Sequence, residues 1–382
     1  MRRQLDIAPT DFIRYADAQI NWDNRMFGLT GPRGIGKTTL FLQRIVGNHS
    51  LDDTLYIAAD HIYFAEHTLF ETAETFCKNG GRFLFIDEVH KYPDWSRELK
   101  MMYDSLPDLW IRFTGSSILD IQKGEADLSR RAPMYHMQGL SFREFLKIRH
   151  EIDAPLLTLD DIVGNQSDLP GVSHPLPLFK EYLQSGYYPF GAEADFLIRL
   201  EQVVTQTLEA DIPNFSGMTA ATGRKLLKLM SIVSETAPFK PNMSKLGGQI
   251  GASRNNLEEY LRCMERAGMI AQLREDASGL RALGKVEKVY LDNTNIMHVL
   301  APRSVDAGTM RETFFLNQMR VRHDVRSSEV SDFEIDGLTF EIGGKNKGAD
   351  QLKGTDAGFV AADDIEYGYG TKLPLWAFGL TY

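Results

Sequence analysis

Nine consecutive residues, Gly31-Pro32-Arg33-Gly34-Ile35-Gly36-Lys37-Thr38-Thr39, fit G-x-x-x-x-G-K-[S/T] at every defined position. Glycines at that spacing let the backbone curl so that successive N–H groups point at one anion. A helix starting near Lys37 turns its positive end to the same place. Lys37 adds a point charge and Thr38 a hydroxyl for Mg²⁺, so the stretch predicts a site for the β- and γ-phosphates of ATP with Mg²⁺. The run Arg82-Phe83-Leu84-Phe85-Ile86-Asp87-Glu88-Val89 sets two carboxylates at the C-terminal tip of an apolar strand, where open α/β sheets bind ligands. Asp87 is expected to hold Mg²⁺ through water. Glu88 is expected to polarise the water that attacks the γ-phosphate, and an adjacent Asp-Glu favours hydrolysis over phosphorylation of a metabolite.

Two further sets of residues belong to the same expected chemistry. In Arg112-Phe113-Thr114-Gly115-Ser116-Ser117, Thr114 would face the γ-phosphate if its strand lies between the two motif strands; a turn rich in small residues is the competing reading. After Leu128-Ser129, either Arg130 or Arg131 could complete a neighbouring subunit's site as an arginine finger, against a surface salt bridge for each.

Positioning these groups requires a sheet. Short apolar runs at 26–30, 54–59, 83–86 and 110–113 are too continuous for an exposed sheet, and amphipathic helix-length segments separate them. That alternation predicts a parallel α/β domain over 1–150. From 151 to 215 the composition turns to Pro and Gly, with Pro170-Gly171 and Pro175-Leu176-Pro177, then to a helix over 195–209. Within 216–290, helices are expected at 223–234 and 244–250. A third, capped by Ser253, runs to 266 and closes at Gly268, which is the helix-turn-helix outline. Strands at 269–273 and 286–291 around a loop at 276–284 extend it to a winged helix. Arg254, Asn255 and Asn256 would then sit where a recognition helix meets DNA, with Arg281 and Lys285 on the wing. Winged helices also serve as spacers and protein-docking modules.

The family resemblance rests on the phosphate loop, Phe85-Ile86-Asp87-Glu88-Val89-His90-Lys91-Tyr92, Trp95, Phe113-Thr114-Gly115-Ser116-Ser117, Ser141-Phe142-Arg143-Glu144-Phe145 and Tyr182-Leu183-Gln184-Ser185-Gly186-Tyr187-Tyr188-Pro189. Together they resemble the prokaryotic AAA-type P-loop ATPases, grouped near signal-transduction ATPases, that carry a C-terminal domain of unknown function with a restriction-endonuclease-like pattern. The resemblance implies an AAA-type core and ATPase activity. Over 291–382, Glu312 on a helix, Asp332 on a strand, Glu341 on a second strand and Gln351 resemble the core of restriction-endonuclease-like α/β folds. There Asp332 and Glu341 would hold a second Mg²⁺ and a lysine would orient water. The pattern wants Glu-x-Lys, but Gly343 stands in the lysine's place. With side chains alternating by two, Glu341, Gly343 and Lys345 share a face and Lys345 takes that part, or the domain keeps the fold and has lost cleavage.

The chain of 382 residues has net charge −10, yet 220–290 carries 12 Lys/Arg against 7 Asp/Glu. A basic segment in an acidic protein can meet phosphate; a solvated helix face is the blander alternative. Two distant cysteines, Cys77 and Cys263, read as reduced, and no run of about 18 apolar residues or signal peptide is present, so a cytoplasmic protein away from membranes is expected. The expected function is an ATP-driven switch or motor on DNA, with self-association through the arginines. The rivals are a signalling or scaffold ATPase with a protein partner, and an ATP-regulated nuclease.

Overall fold

In the computed structural model the residues described are 2–115, 128, 130–216, 218–275, 285–300, 305–348, 350–352, 355 and 357–382. The chain divides into two compact units, Met1–Gln138 with Asn214–Met218, and Gly139–Pro213 with Thr219–Tyr382.

The first unit is built on strands β1 (Met26–Thr30), β2 (Thr54–Ala58), β3 (Phe83–Asp87), β4 (Trp110–Gly115) and β5 (Met134–His136), with helices α1 (Lys37–Asn48), α2 (Leu69–Lys78) and α3 (Trp95–Ser105). Every neighbouring pair is parallel and the order is β2-β3-β4-β1-β5. Phe27, Leu29, Leu84, Phe85, Ile86, Ile111 and Phe113 are all buried, which is why these strands read as unbroken apolar runs. A capping box between Thr68 and Glu71 starts α2. Insertion of β4 between β1 and β3 brings three strand tips side by side: Leu29 pairs with Thr114, and Ile86 with Phe113. The short strand β5 carries too few residues to show a pattern, and the sequence did not reveal it.

The second unit opens with α4 (Phe142–His150), capped reciprocally by Ser141 and Glu144, then α5 (Pro175–Ser185) and α6 (Phe196–Gln206). Helices α7 (Ala220–Thr236), α8 (Met243–Ile250) and α9 (Arg254–Arg266) follow, and Ser253 Oγ accepts the Asn256 N–H to start the last of them. Strands β6 (Ile270–Arg274) and β7 (Val286–Leu291) pair antiparallel, and Phe239 bridges Val289 on the open side of β7. After α10 (Thr294–Leu300) and α11 (Ala307–Met319) comes a mixed sheet of β8 (Arg326–Ser327), β9 (Phe333–Ile335), β10 (Leu338–Gly343), β11 (Gly358–Ala362) and β12 (Lys372–Pro374), ordered β12-β11-β10-β9-β8. Its last three strands run parallel and its first two antiparallel.

One apolar core ties α4 and α5 to the hairpin, α11 and the last sheet. It joins Phe142, Phe145, Phe179 and Tyr182 to Leu273 and Tyr290 of the hairpin and to Phe314, Phe333, Phe340 and Phe378. Ser141 Oγ donates to the Tyr382 carbonyl at 2.7 Å, and the Phe142 N–H to Gln318 Oε1 at 3.3 Å. The first stretch of the first compact unit runs to Gln138, so α4 falls in the second unit. Most of the segments 151–215, 216–290 and 291–382 falls in the second unit, while Asn214–Met218 fall in the first. Among the described residues no helix is long and apolar enough to cross a membrane.

Candidate nucleotide site

The loop between β1 and α1 is shaped by glycine where side chains cannot go. A Cβ on Gly31, at φ +150°, would lie 2.2 Å from the Met137 carbonyl oxygen, and Gly36 caps α1 in the left-handed conformation at φ +96°. Arg14 holds the loop from outside, donating to the Ile35 carbonyl at 2.5 Å and the Gln138 carbonyl at 2.7 Å. Lys37 opens α1 and is 5 % exposed. Its ammonium donates to the carbonyls of Gly31 (2.9 Å) and Pro32 (2.7 Å). Burial pushes the amine down to about 8, Glu88 and Asp87 pull it back, and Arg33 adds to the lowering. It is still a cation at pH 7.

Asp87, at the end of β3, gathers the polar groups of three strands and a helix. Thr38 Oγ1 donates to its Oδ2 at 2.6 Å and the Tyr56 hydroxyl to the same oxygen at 2.8 Å. Thr114 Oγ1 donates to Oδ1, and the Glu88 N–H reaches Oδ1 at 3.1 Å and Thr114 Oγ1 at 3.2 Å. Burial, with Asp87 beside it, raises the Tyr56 phenol far above its ordinary value and keeps it a donor. Glu88 takes a left-handed backbone, φ +52°, which a glutamate adopts only when its surroundings impose it. His90 Nε2 lies 3.3 Å from Glu88 Oε2. Burial, then the charges of Lys91, Lys37 and Arg33, lower the imidazole to about 3, so it is neutral at physiological pH.

The structure thus brings Gly31, Pro32, Gly36, Lys37, Thr38, Asp87, Glu88 and Thr114 together. Ile35 packs into the core, Gly34 is exposed, and Arg33 and Thr39 are half-buried along the loop and first helical turn. Sequence reasoning missed Tyr56, which looks like one more core residue of an apolar run, and His90, whose only signal is its place two residues after Glu88. Arg131 forms a two-pronged pair with Asp104, at 3.0 and 2.9 Å, as its salt-bridge reading requires; Arg130 is exposed. Ser116, Ser117 and Arg281 lie outside the described residues.

In the second unit, Arg254 and Asn255 are exposed at the start of α9. A groove of about 340 Å³ is lined by Lys240, Arg254, Arg262, Arg274 and Lys285 among others. Each of these cations meets a glutamate: Lys240 and Lys285 meet Glu287, Arg254 meets Glu258, Arg262 meets Glu259 and Arg274 meets Glu265.

The carboxylates of the last sheet have their own cations. Lys288 Nζ lies 3.3 Å from both Glu312 and Asp332, and the Tyr290 hydroxyl donates to Glu312 at 2.7 Å. Glu341 pairs with Lys347, accepts from Ser331 (2.5 Å), and with the Gln351 amide turned so that its nitrogen faces the carboxylate would accept from it too. The expected Lys345 is not among them. The strand stops at Gly343, so alternation no longer governs position 345, whose side chain is exposed, and the turn returns Lys347 to Glu341 instead. Among the described residues no three His, Cys, Asp or Glu side chains gather, here or at Asp87; Asp332 and Glu341, expected to hold a second Mg²⁺, are each paired with a lysine.

Fold and phosphate loop of the first unit are those of a P-loop NTPase-type domain of the parallel α/β kind. The AAA domain family matches residues 23–146, and a domain of unknown function, DUF8612, matches residues 176–307. Residues 23–146 are thus similar to the domain of AAA-type P-loop ATPases. No curated protein matches it. Solved structures similar to it include one titled for katanin self-assembly, at 14 % identity and TM-score 0.27, covering 43 % of this chain and 62 % of that one. Another is PCH-2 of C. elegans, at 16 % identity and TM-score 0.27, covering 68 % and 65 %. The chain spans under two thirds of the length of either.

Proposed function

We infer that the chain binds ATP with Mg²⁺ on residues 31–39, hydrolyses it, and works as an ATP-driven switch or motor acting on DNA. The observation that supports the nucleotide chemistry is the single hydrogen-bonded set of Thr38, Asp87, Thr114 and the Glu88 N–H, beside a buried Lys37 held by loop carbonyls. A hydroxyl in contact with one carboxylate suits Mg²⁺, which keeps several waters and needs few protein ligands, so Thr38 and Asp87 would hold it. Held there, the ion would supply positive charge against the phosphates. Lys37 and the N-terminus of α1 meet the phosphates, Glu88 orients the attacking water, and Thr114 links Asp87 to the Glu88 backbone, where loss of the γ-phosphate is sensed. Exposed Arg130 is the finger candidate for a second copy of the chain.

The DNA reading draws on α7, α8, α9, the β6–β7 hairpin and the Phe239 bridge, a winged-helix arrangement with Arg254, Asn255 and Asn256 exposed at the head of α9. A protein partner is the second reading, and the glutamate beside every groove cation favours it, because the groove is electrically balanced. Lys288 and Lys347 at the last three carboxylates disfavour a nuclease.

The test is a pair of variants in the full chain, read by a fluorescent ATP analogue and by phosphate release. Lys37→Ala loses binding; Glu88→Gln binds and loses turnover by about 10²–10⁴-fold. Turnover by Glu88→Gln within a few-fold of the parent would sink the assignment.

A further inference from the structure

His90 is buried and enters no step of the ATPase reading above. Its side chain is fully covered, while that of its neighbour Glu88 is 26 % exposed. A buried imidazole two residues from an exposed carboxylate would normally turn into the core. Here the left-handed backbone at Glu88, followed by the 3₁₀ turn Val89–Lys91, folds the chain back so that Nε2 stands 3.3 Å from Glu88 Oε2. The carboxylate it meets belongs to the site: Glu88 is the leading acidic influence on the Lys37 ammonium, ahead of Asp87. Lys37 and Arg33 in turn act on the imidazole.

Resting on the ATPase reading, we propose that His90 is a positioning residue for hydrolysis, whose ring N–H holds the Glu88 carboxylate in the orientation from which it directs the attacking water. A partly exposed glutamate at the end of a strand has several rotamers of similar energy, and a general base out of place loses most of its advantage. One directional bond selects among them. The donor has to be uncharged, since an imidazolium would compete for the electron pair that Glu88 offers to water. Burial and the surrounding Lys37, Lys91 and Arg33 keep the ring neutral, with the proton on Nε2 for donation to the carboxylate.

The role separates from a purely structural one in four full-length proteins: the parent, His90→Ala, Glu88→Gln and the double variant, with His90→Gln as the neutral-donor replacement. His90→Ala is expected to lower kcat by about 10-fold or more while the affinity for a fluorescent ATP analogue stays within about 3-fold. His90→Gln regains part of kcat. In the Glu88→Gln background, removing His90 changes the residual rate by less than about 2-fold, because a residue that acts only through Glu88 has nothing left to position. The proposal is overturned if His90→Ala and His90→Gln both keep parental kcat, or if His90→Ala costs the same factor with and without Glu88. It also fails if nucleotide affinity falls in step with kcat, which would mark a damaged loop. A parent that binds the analogue but shows no turnover removes the ATPase reading itself, and this proposal with it; that outcome is visible before any His90 variant is made.

Discussion

Two places in this molecule collect carboxylates beside lysines, and they do so in opposite ways. At the tip of β3, Asp87 is surrounded by hydroxyls and a backbone N–H, and the nearby Lys37 ammonium is held by carbonyl oxygens. Around β10, Glu312, Asp332 and Glu341 are bound directly by Lys288 and Lys347. The first arrangement keeps its charges apart, so a cation can still come to the acid and an anion to the amine. The second already has its counter-ions in place. Similar residue types therefore mean different things according to whether neutral dipoles or counter-ions satisfy them.

The largest expected effect that separates the two places is on nucleotide. Lys37→Met abolishes binding of a fluorescent ATP analogue, whereas Lys288→Met leaves it unchanged; loss in both variants would break the contrast. Stability should show the reverse order. Lys347→Met strands Glu341, only 3 % exposed, with neutral partners, and should cost about 1–3 kcal/mol in urea unfolding. Lys37→Met removes a desolvated charge held by carbonyls and should cost less, the usual opposition between function and stability. A larger loss for Lys37→Met would show that its carbonyl contacts hold the fold as firmly as an ion pair does.

A third expectation bears on the balanced groove. If it meets DNA phosphates, affinity falls steeply with salt, and Arg254→Ala with Lys285→Ala flattens the log–log slope by about 0.9 for each phosphate that is no longer neutralised. Unchanged affinity in that double variant, with ATPase intact, moves the groove to protein docking. The smallest effect concerns acid. The folded value of His90, about 3, lies below the 6.5 of a free histidine, so between those values the unfolded chain takes up a proton that the native site refuses. Its contribution is whole above pH 6.5 and is lost as pH falls towards 3. Thermal midpoints measured across that window should decline less steeply in His90→Asn; parallel curves would mean that the buried ring does not titrate with unfolding.

The first site was open to sequence reading because its parts are local or periodic: a nine-residue loop, an apolar strand with two acids at its tip, and runs whose spacing fixes a parallel sheet. Thr114 was reached through the strand order alone. Tyr56 and His90 were missed because nothing in a strand run or a short turn reveals which residue faces a carboxylate brought in from elsewhere. The Lys345 error has a definite cause: alternation was carried two residues past the last residue of β10, where a turn had already begun. Lys288 lies 24 residues before Glu312 and 44 before Asp332, so only tertiary packing reveals the pairs. Composition shifts divide the chain into four segments, whereas shared contacts group it into two compact units, because composition marks segments and shared burial makes a body.

The bonds from Ser141 and Phe142 to Tyr382 and Gln318 span 241 and 176 residues of chain. Closing loops of that length is entropically slow, and a core built this way forms late relative to one assembled from adjacent strand–helix pairs. Strands β2, β3 and β4 can dock as they follow one another, with β1 closing on β4, but the aromatic core around Phe142 and Phe314 must wait for distant partners. Until they meet, α4 and α5 carry uncovered phenylalanine and tyrosine faces, and that interval is when the second unit is most exposed to aggregation and most in need of a chaperone.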